Sequence, residues 1–170
     1  KGLSLLRWAT FRDISESSES RKIIGFDNFG SFPVYDDISK ADKSFVKDFN
    51  NEAGDGLEIE EIKKILQNKD FSNYELIKGE VSQTIPNYLN ENPHLRISLL
   101  HLDVDIYKPT IIALKYFWER LSRNGILIID DYNAVEGATS AIDNFLKDEG
   151  ISDQVKKTNF YSSPCYIIKS

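Results

Sequence analysis

Two apolar runs, each the length of one strand and each ending on aspartates, constrain this chain more than anything else in it. The first is Leu99-Leu100-His101-Leu102-Asp103-Val104-Asp105, and the second is Ile126-Leu127-Ile128-Ile129-Asp130-Asp131. Unbroken runs of this kind read as strands covered on both faces. Between them lies a helical pattern. Pro109 and Thr110 open it, Leu114, Phe117, Trp118 and Leu121 space its buried face, and Asn124-Gly125 close it. Strands joined through a helix are parallel neighbours in one sheet, about 4.8 Å apart. Asp103, Asp105, Asp130 and Asp131 then meet at one sheet edge, where they repel and raise one another's pKa unless a cation joins them.

The rest of the chain supplies a scaffold for that edge. Residues 4–12 read as a helix with Leu5, Leu6, Trp8 and Ala9 on its apolar side, followed by a polar loop. Residues 22–26 form a short strand ending at Asp27, and the loop after it carries Phe29 and Phe32, so it packs against something. The charged stretch 34–56 is predicted irregular, with one helix around 43–49. It is read either as a lid, with Phe45 and Phe49, or as a surface loop. A helix follows over 58–67, with Ile59, Ile62, Ile65 and Leu66 on one side, and a strand over 74–78 runs into Gly79-Glu80. Residues 84–89 read as a helix with Pro86 in its first turn. Ala138, Ala141, Ile142, Phe145 and Leu146 mark another, ended by Gly150. Strands at 155–159 and 165–168, joined by Tyr161-Ser162-Ser163-Pro164, make an antiparallel hairpin. The pattern is a single α/β domain over residues 1–170, a doubly wound and mostly parallel sheet with a reversed edge.

A net charge of −6 argues against a nucleic-acid or anionic-membrane surface. No apolar run approaches the roughly 18 residues of a membrane span, and Cys165 is alone, a small core residue in an apolar strand. A cytoplasmic location is the expectation.

Ligands of open α/β sheets bind outside the carboxyl ends of the strands. The candidates there are Asp27, Glu80-Val81-Ser82, Asp103, Asp105, Asp130 and Asp131. An acid at a strand end some 20 residues after a glycine turn partners a ribose hydroxyl pair. Gly2 and Asp27 stand in that relation, although a plain turn-forming aspartate gives the same spacing. Adjacent Asp130 and Asp131, directly after four branched apolar residues, are hard to explain as solvated turn residues. Asp105 either joins them, caps the following helix or bonds locally. Oxygen-only ligands favour Mg²⁺, with Mn²⁺ or Ca²⁺ also fitting, and without a His/Cys cluster zinc does not. His101 shares the strand face of Asp103 and reads as a hydrogen-bonded core histidine; His94 reads as a surface residue.

The segments His101–Thr110 and Gly125–Tyr132 together resemble the macrocin O-methyltransferase (TylF-like) family of class I S-adenosylmethionine-dependent methyltransferases. So do Gly25-Phe26-Asp27-Asn28-Phe29-Gly30-Ser31-Phe32-Pro33, with Ser31 one place off the usual glycine, and Gly79-Glu80-Val81-Ser82-Gln83-Thr84-Ile85-Pro86. Gly137 with Ala141-Ile142-Asp143 resembles the helix that follows the acid pair. The resemblance implies Mg²⁺- and S-adenosylmethionine-dependent O-methylation of a sugar or other small-molecule hydroxyl. It implies that Asp27 takes the ribose hydroxyls, that Glu80, Val81 and Ser82 border the adenine, and that Asp103, Asp130 and Asp131 hold the metal. Asp103 would also contact the cofactor and act as general base. The family's opening turn, E-x-G-V-x-x-G-x-S, is met only from Lys1-Gly2-Leu3-Ser4 onward, so Gly2 and Ser4 are its expected cofactor contacts. The expectation is a fragment whose first, central strand lies outside this chain. A homo-oligomer is the expected assembly. The rival readings are a non-catalytic fold remnant, a phosphoacceptor receiver domain and a nicotinamide oxidoreductase. The receiver places its acid pair on the first strand, and no G-x-G-x-x-G motif is present for the oxidoreductase.

Overall fold

The computed structural model describes residues 2–33, 35–159 and 163–170; Lys1, Val34 and residues 160–162, which hold part of the predicted hairpin connection, lie outside the described residues. In chain order the elements are α1 (Leu3–Ser15), β1 (Ile23–Asp27), α2 (Lys40–Ala53), α3 (Ile59–Asn68), β2 (Tyr74–Lys78), α4 (Val81–Glu91) and β3 (Ile97–Leu102). There follow α5 (Tyr107–Phe117), a 3₁₀ turn (Trp118–Arg120), β4 (Leu121–Ile129), α6 (Glu136–Asp148), β5 (Lys156–Lys157) and β6 (Cys165–Ile168). They divide into two compact units, Lys1–Val34 with Phe49–Thr84 and Tyr35–Asp48 with Ile85–Ser170.

In the first unit β1 and β2 pair in parallel, in register from Ile23 opposite Tyr74 to Asp27 opposite Lys78. Both strands therefore end at the same level. The apolar faces read from the sequence meet here: Phe29, Ile62 and Leu66 are buried, with Leu5, Leu6 and Leu76 packed against them. Glu58 and Glu61 close a reciprocal capping box at the start of α3. Gly2 caps α1 with φ 78, where a Cβ would also overlap the Ile62 side chain, so both the conformation and the space select glycine.

Helix α1 runs three residues past its predicted end because Arg12 is buried and tied down. Its guanidinium donates to the carbonyls of Arg21, Ser72 and Asn73, at 3.1, 2.9 and 3.1 Å. Helix α4 begins three residues early, because Glu80 supplies the missing cap. Its carboxylate accepts the Ser82 N–H at 3.0 Å and the Ser82 hydroxyl, and its carbonyl accepts from Gln83 and Thr84. Pro86 consequently sits in the interior of α4 and leaves the Ser82 carbonyl without its i+4 partner.

In the second unit the strand order is β3-β4-β6-β5, with β3 parallel to β4 and β6 antiparallel to both β4 and β5. The predicted parallel pair and the closing antiparallel hairpin are both present. The predicted single sheet is hydrogen-bonded as two, β1-β2 and this one, because among the described residues no strand pairs with the second edge of β1 or of β3. Leu114 and Phe117 of α5 and Ala138, Ala141, Ile142 and Phe145 of α6 are buried, as their spacing predicts, and Cys165 is buried in β6. Trp118 and Leu121 are buried too, but in the 3₁₀ turn and in β4.

Strand β4 thus starts five residues before its predicted first residue. The register slips between Ile97 opposite Leu121 and Leu99 opposite Ile126, and Asn124 takes φ 63. Lys169 seals that corner. Its backbone accepts from Asn124 and donates to Gly125, and its ammonium donates to the Trp118 and Leu121 carbonyls at 2.6 and 3.0 Å. The helix predicted around 43–49 within the stretch 34–56 is the longer, 14-residue α2, with Ser39 capping it by accepting the Asp42 N–H at 3.0 Å. Among the described residues no helix is long and apolar enough to cross a membrane.

Candidate active site

The ends of β3 and β4 are aligned, Leu102 opposite Ile129, and the Asp130 N–H donates to the Leu102 carbonyl at 3.0 Å. The chain leaving β3 turns at once: Ile106 donates to the Val104 carbonyl at 2.7 Å, and Asp105 takes φ 61, a left-handed conformation aspartate tolerates better than most residues. That turn aims the Asp105 N–H at the Asp131 carboxylate, 3.3 Å from Oδ2. One oxygen each from Asp103, Asp105 and Asp131 then lie within 4.8 Å of one another. Asp103 is exposed and the other two are half-buried.

Electrostatics follow from that grouping. Burial, reinforced by Asp103 and Asp130, pushes the Asp105 carboxyl up to about 6. Burial, then Asp105, Asp103 and Asp130, pushes Asp131 up to about 7, against the lowering effect of the Asp105 N–H. The group gathers the negative charge of four aspartates. Its donors are all carboxylate oxygens, the set that suits a hard divalent ion, so these residues fit the metal the family resemblance implies.

Of the three carboxylates expected to hold that metal, Asp103 and Asp131 come together, and Asp105 stands with them. Asp130 lies close enough to act on both half-buried acids, but its Oδ1 faces His101 Nε2 at 3.6 Å. His101 is largely buried, as expected of a core histidine, and it borders an acid at this edge. The open alternative for Asp105, capping α5, is not what occurs: the N-cap is Ile106, whose side chain has no bond to offer.

The strand ends of the first unit are arranged differently. Asp27 ends β1, is exposed, and accepts the Phe29 N–H on Oδ1 at 2.6 Å, while its carbonyl accepts from Gly79 at 3.0 Å. Glu80 is occupied in capping α4 through Ser82, and Val81 is buried. Gly2 and Ser4 form the cap and first turn of α1.

Two residues escaped the sequence reading. Arg12 carries no motif; an arginine among the apolar positions of a helix was the only signal. Asp42 is almost wholly buried, 1% exposed, and its Oδ2 accepts the Tyr107 N–H at 3.3 Å. The pattern Ser39-x-x-Asp42, an N-cap with an acid three residues on, could have placed a helix start there.

The sequence profile of the macrocin-O-methyltransferase (TylF) family matches residues 7–163. This chain belongs to that family. An 8-demethyl-8-(2,3-dimethoxy-alpha-L-rhamnosyl)-tetracenomycin-C 4'-O-methyltransferase from Streptomyces olivaceus is 32% identical over 91 residues, 51% of this chain and 34% of that one. A mycinamicin III 3''-O-methyltransferase from Micromonospora griseorubida is 31% identical over 91 residues, 51% of this chain and 35% of that one. The match thus spans about a third of the length of these curated relatives. Among solved structures, the O-methyltransferase NovP superposes with a TM-score of 0.82 at 20% identity, over 95% of this chain and 66% of that one. The calicheamicin methyltransferase CalS11 gives 0.70 at 24% identity, over 96% and 66%. These likenesses show the fold, a Rossmann-like class I methyltransferase fold with a mixed sheet and a C-terminal hairpin, as the elements and the family resemblance together led us to expect.

Proposed function

We propose that this chain carries an S-adenosylmethionine-dependent O-methyltransferase activity toward a hydroxyl of a sugar or glycosylated small molecule, supported by a divalent cation, Mg²⁺ first. The observation that carries the reading is the convergence of Asp103, Asp105 and Asp131 at two aligned strand ends in a member of this family. A relative that acts on a rhamnosyl compound supports the sugar.

In this reading Asp103, Asp105 and Asp131 hold the cation, with Asp130 contributing charge or a fourth oxygen. A Mg²⁺ ion bound there supplies a Lewis acid that lowers the pKa of the acceptor hydroxyl. S-Adenosylmethionine, when bound, would supply the methyl group to the hydroxyl oxygen, its sulfur leaving as the neutral thioether. Asp103, the most exposed of the three, takes the hydroxyl proton. Asp27 takes the ribose hydroxyls through the carboxylate oxygen that its own turn does not use. Gly2, Ser4, Glu80, Val81 and Ser82 shape the remainder of the nucleoside site. Glu80 does so as a cap that fixes the start of α4.

Calorimetric titration with S-adenosylmethionine, with and without Mg²⁺, tests the reading, alongside methyl transfer to a rhamnosylated acceptor. Binding, and turnover that chelation abolishes, are expected. Asp131→Asn is expected to remove the Mg²⁺-dependent turnover while leaving the circular dichroism intact. Failure of S-adenosylmethionine to bind would leave a non-catalytic member of the fold.

A further inference from the structure

Helix α5 starts immediately after the loop that carries Asp103 and Asp105, yet its own sequence offers it no cap. Its N-cap, Ile106, is fully buried and apolar. The acceptor for its first N–H comes from 65 residues upstream, in the first turn of α2. There Asp42 Oδ2 takes the Tyr107 N–H at 3.3 Å.

Nothing about Asp42 is casual. It is 1% exposed, and its other oxygen, Oδ1, is buried with no hydrogen-bond partner. Burial pushes its carboxyl up; the Tyr107 N–H and Ser39 lower it, and nearby Glu136 raises it further. A buried carboxylate with an unsatisfied oxygen is costly. The structure makes room for it on purpose: Gly137, in the first turn of α6, lies so close that a Cβ there would overlap both Oδ1 and the Tyr107 nitrogen. The carboxylate is therefore wedged between the starts of α5 and α6, where the positive ends of both helices favour it. A second contact joins the same pieces, the Lys108 ammonium over the Tyr35 ring at 5.4 Å.

The chain from the wedge to the acid group is short. Tyr107 follows Ile106, which donates to Val104 in a tight turn, and Asp105 there sits at φ 61 with its N–H on Asp131. A shift at Tyr107 has no slack to absorb it before it reaches Asp105. We propose that Asp42 is a positioning residue: clamped between Tyr107 and Gly137, it supplies α5 with the cap its sequence lacks and so fixes the Asp103–Asp105 turn against Asp131. The clamp's role in cation binding rests on the function proposed above; the clamp itself does not.

Amide hydrogen exchange and Mg²⁺ titration on the full chain test it. In the native protein the Tyr107 amide, although first in its helix, is expected to exchange about 100-fold or more slower than a free amide. An unprotected Tyr107 amide overturns the proposal without any variant. Asp42→Ala is expected to speed exchange at Tyr107 and Asp105 about tenfold, with core amides such as Leu127 unchanged. It is also expected to weaken Mg²⁺ binding about tenfold. Asp42→Asn keeps an acceptor oxygen and is expected to restore both to within about threefold. Gly137→Ala, which leaves Asp42 in place but fills its seat, is expected to reproduce the Asp42→Ala pattern. A purely structural Asp42 would lower global stability and move every amide together, with Asn and Ala variants binding Mg²⁺ alike; that outcome refutes the proposal. A native protein that does not bind Mg²⁺ at all counts against the proposed function, and the Tyr107 and Asp105 amides alone then decide the clamp.

Discussion

The two parallel strand pairs end alike in sequence and unlike in chemistry. β1 and β2 deliver Asp27 and Glu80; β3 and β4 deliver Asp103, Asp105, Asp130 and Asp131. In the first pair each carboxylate is taken up by the turn that follows it, Asp27 by the Phe29 N–H and Glu80 by the Ser82 N–H and hydroxyl. In the second pair the Asp105 N–H bonds Asp131 rather than its own carboxylate, and burial with neighbouring acids pushes Asp105 and Asp131 toward neutrality. An acid at a strand end therefore says little by itself. What distinguishes a carboxylate that shapes a turn from one awaiting a charged partner is whether its own backbone satisfies it.

The largest expected separation between the two ends is kinetic. Asp103→Asn is expected to lower methyl-transfer kcat/KM by about 10³-fold, a loss in the range for a general base, with Mg²⁺ no longer stimulating. Asp27→Ala is expected to act on the nucleoside alone, weakening S-adenosylmethionine binding about 30-fold, near 2 kcal/mol, with kcat little changed at saturation. Equal effects of both substitutions on kcat would erase the contrast.

A pH titration of stability without divalent ions should show the difference next. Asp105 and Asp131 carry native pKa values of about 6 and about 7, above the value of about 4 of an unfolded aspartate. Below about pH 4 both states hold the protons and no penalty exists. As pH rises toward 7 the unfolded chain has already released them, so native stability falls. The drop is expected to be about 1–2 kcal/mol after solvent screening, titrating as a coupled pair. It should vanish in saturating Mg²⁺ and shrink in Asp131→Asn, as followed by chemical denaturation at each pH. The smallest effect belongs to the self-satisfied end: Glu80→Ala is expected to cost about 0.5–1 kcal/mol through the lost α4 cap, without altering that pH profile.

Much of this was legible in the sequence for a plain reason: burial is written in periodicity. Leu114, Phe117, Ala141, Ile142 and Phe145 fall on the buried faces their spacing requires, and the strands at Asp27, Lys78, Leu102 and Ile129 end where their apolar runs end. What was not legible depends on partners distant in sequence. The helix expected around 43–49 runs over Lys40–Ala53, and its start was not legible because the residue that docks its first turn is an aspartate, buried where Gly137 and Tyr107 accommodate it. Arg12 reads as a surface cation until the carbonyls of Arg21, Ser72 and Asn73 surround it. The acid group shows the same limit at finer scale. Periodicity brought the aspartates to one edge, but the left-handed turn at Asp105 decides which oxygens face one another, and hydropathy does not encode it.

The ammonium of Lys169, held by two carbonyls and lying 5.1 Å from the centre of the Trp118 ring, behaves unlike the lysines that face water. Cyanate or an acylating reagent should label the exposed lysines at once and this one only when the corner between the 3₁₀ turn and β4 comes apart. Its slow modification would then serve as a clock for how often that edge of the sheet opens.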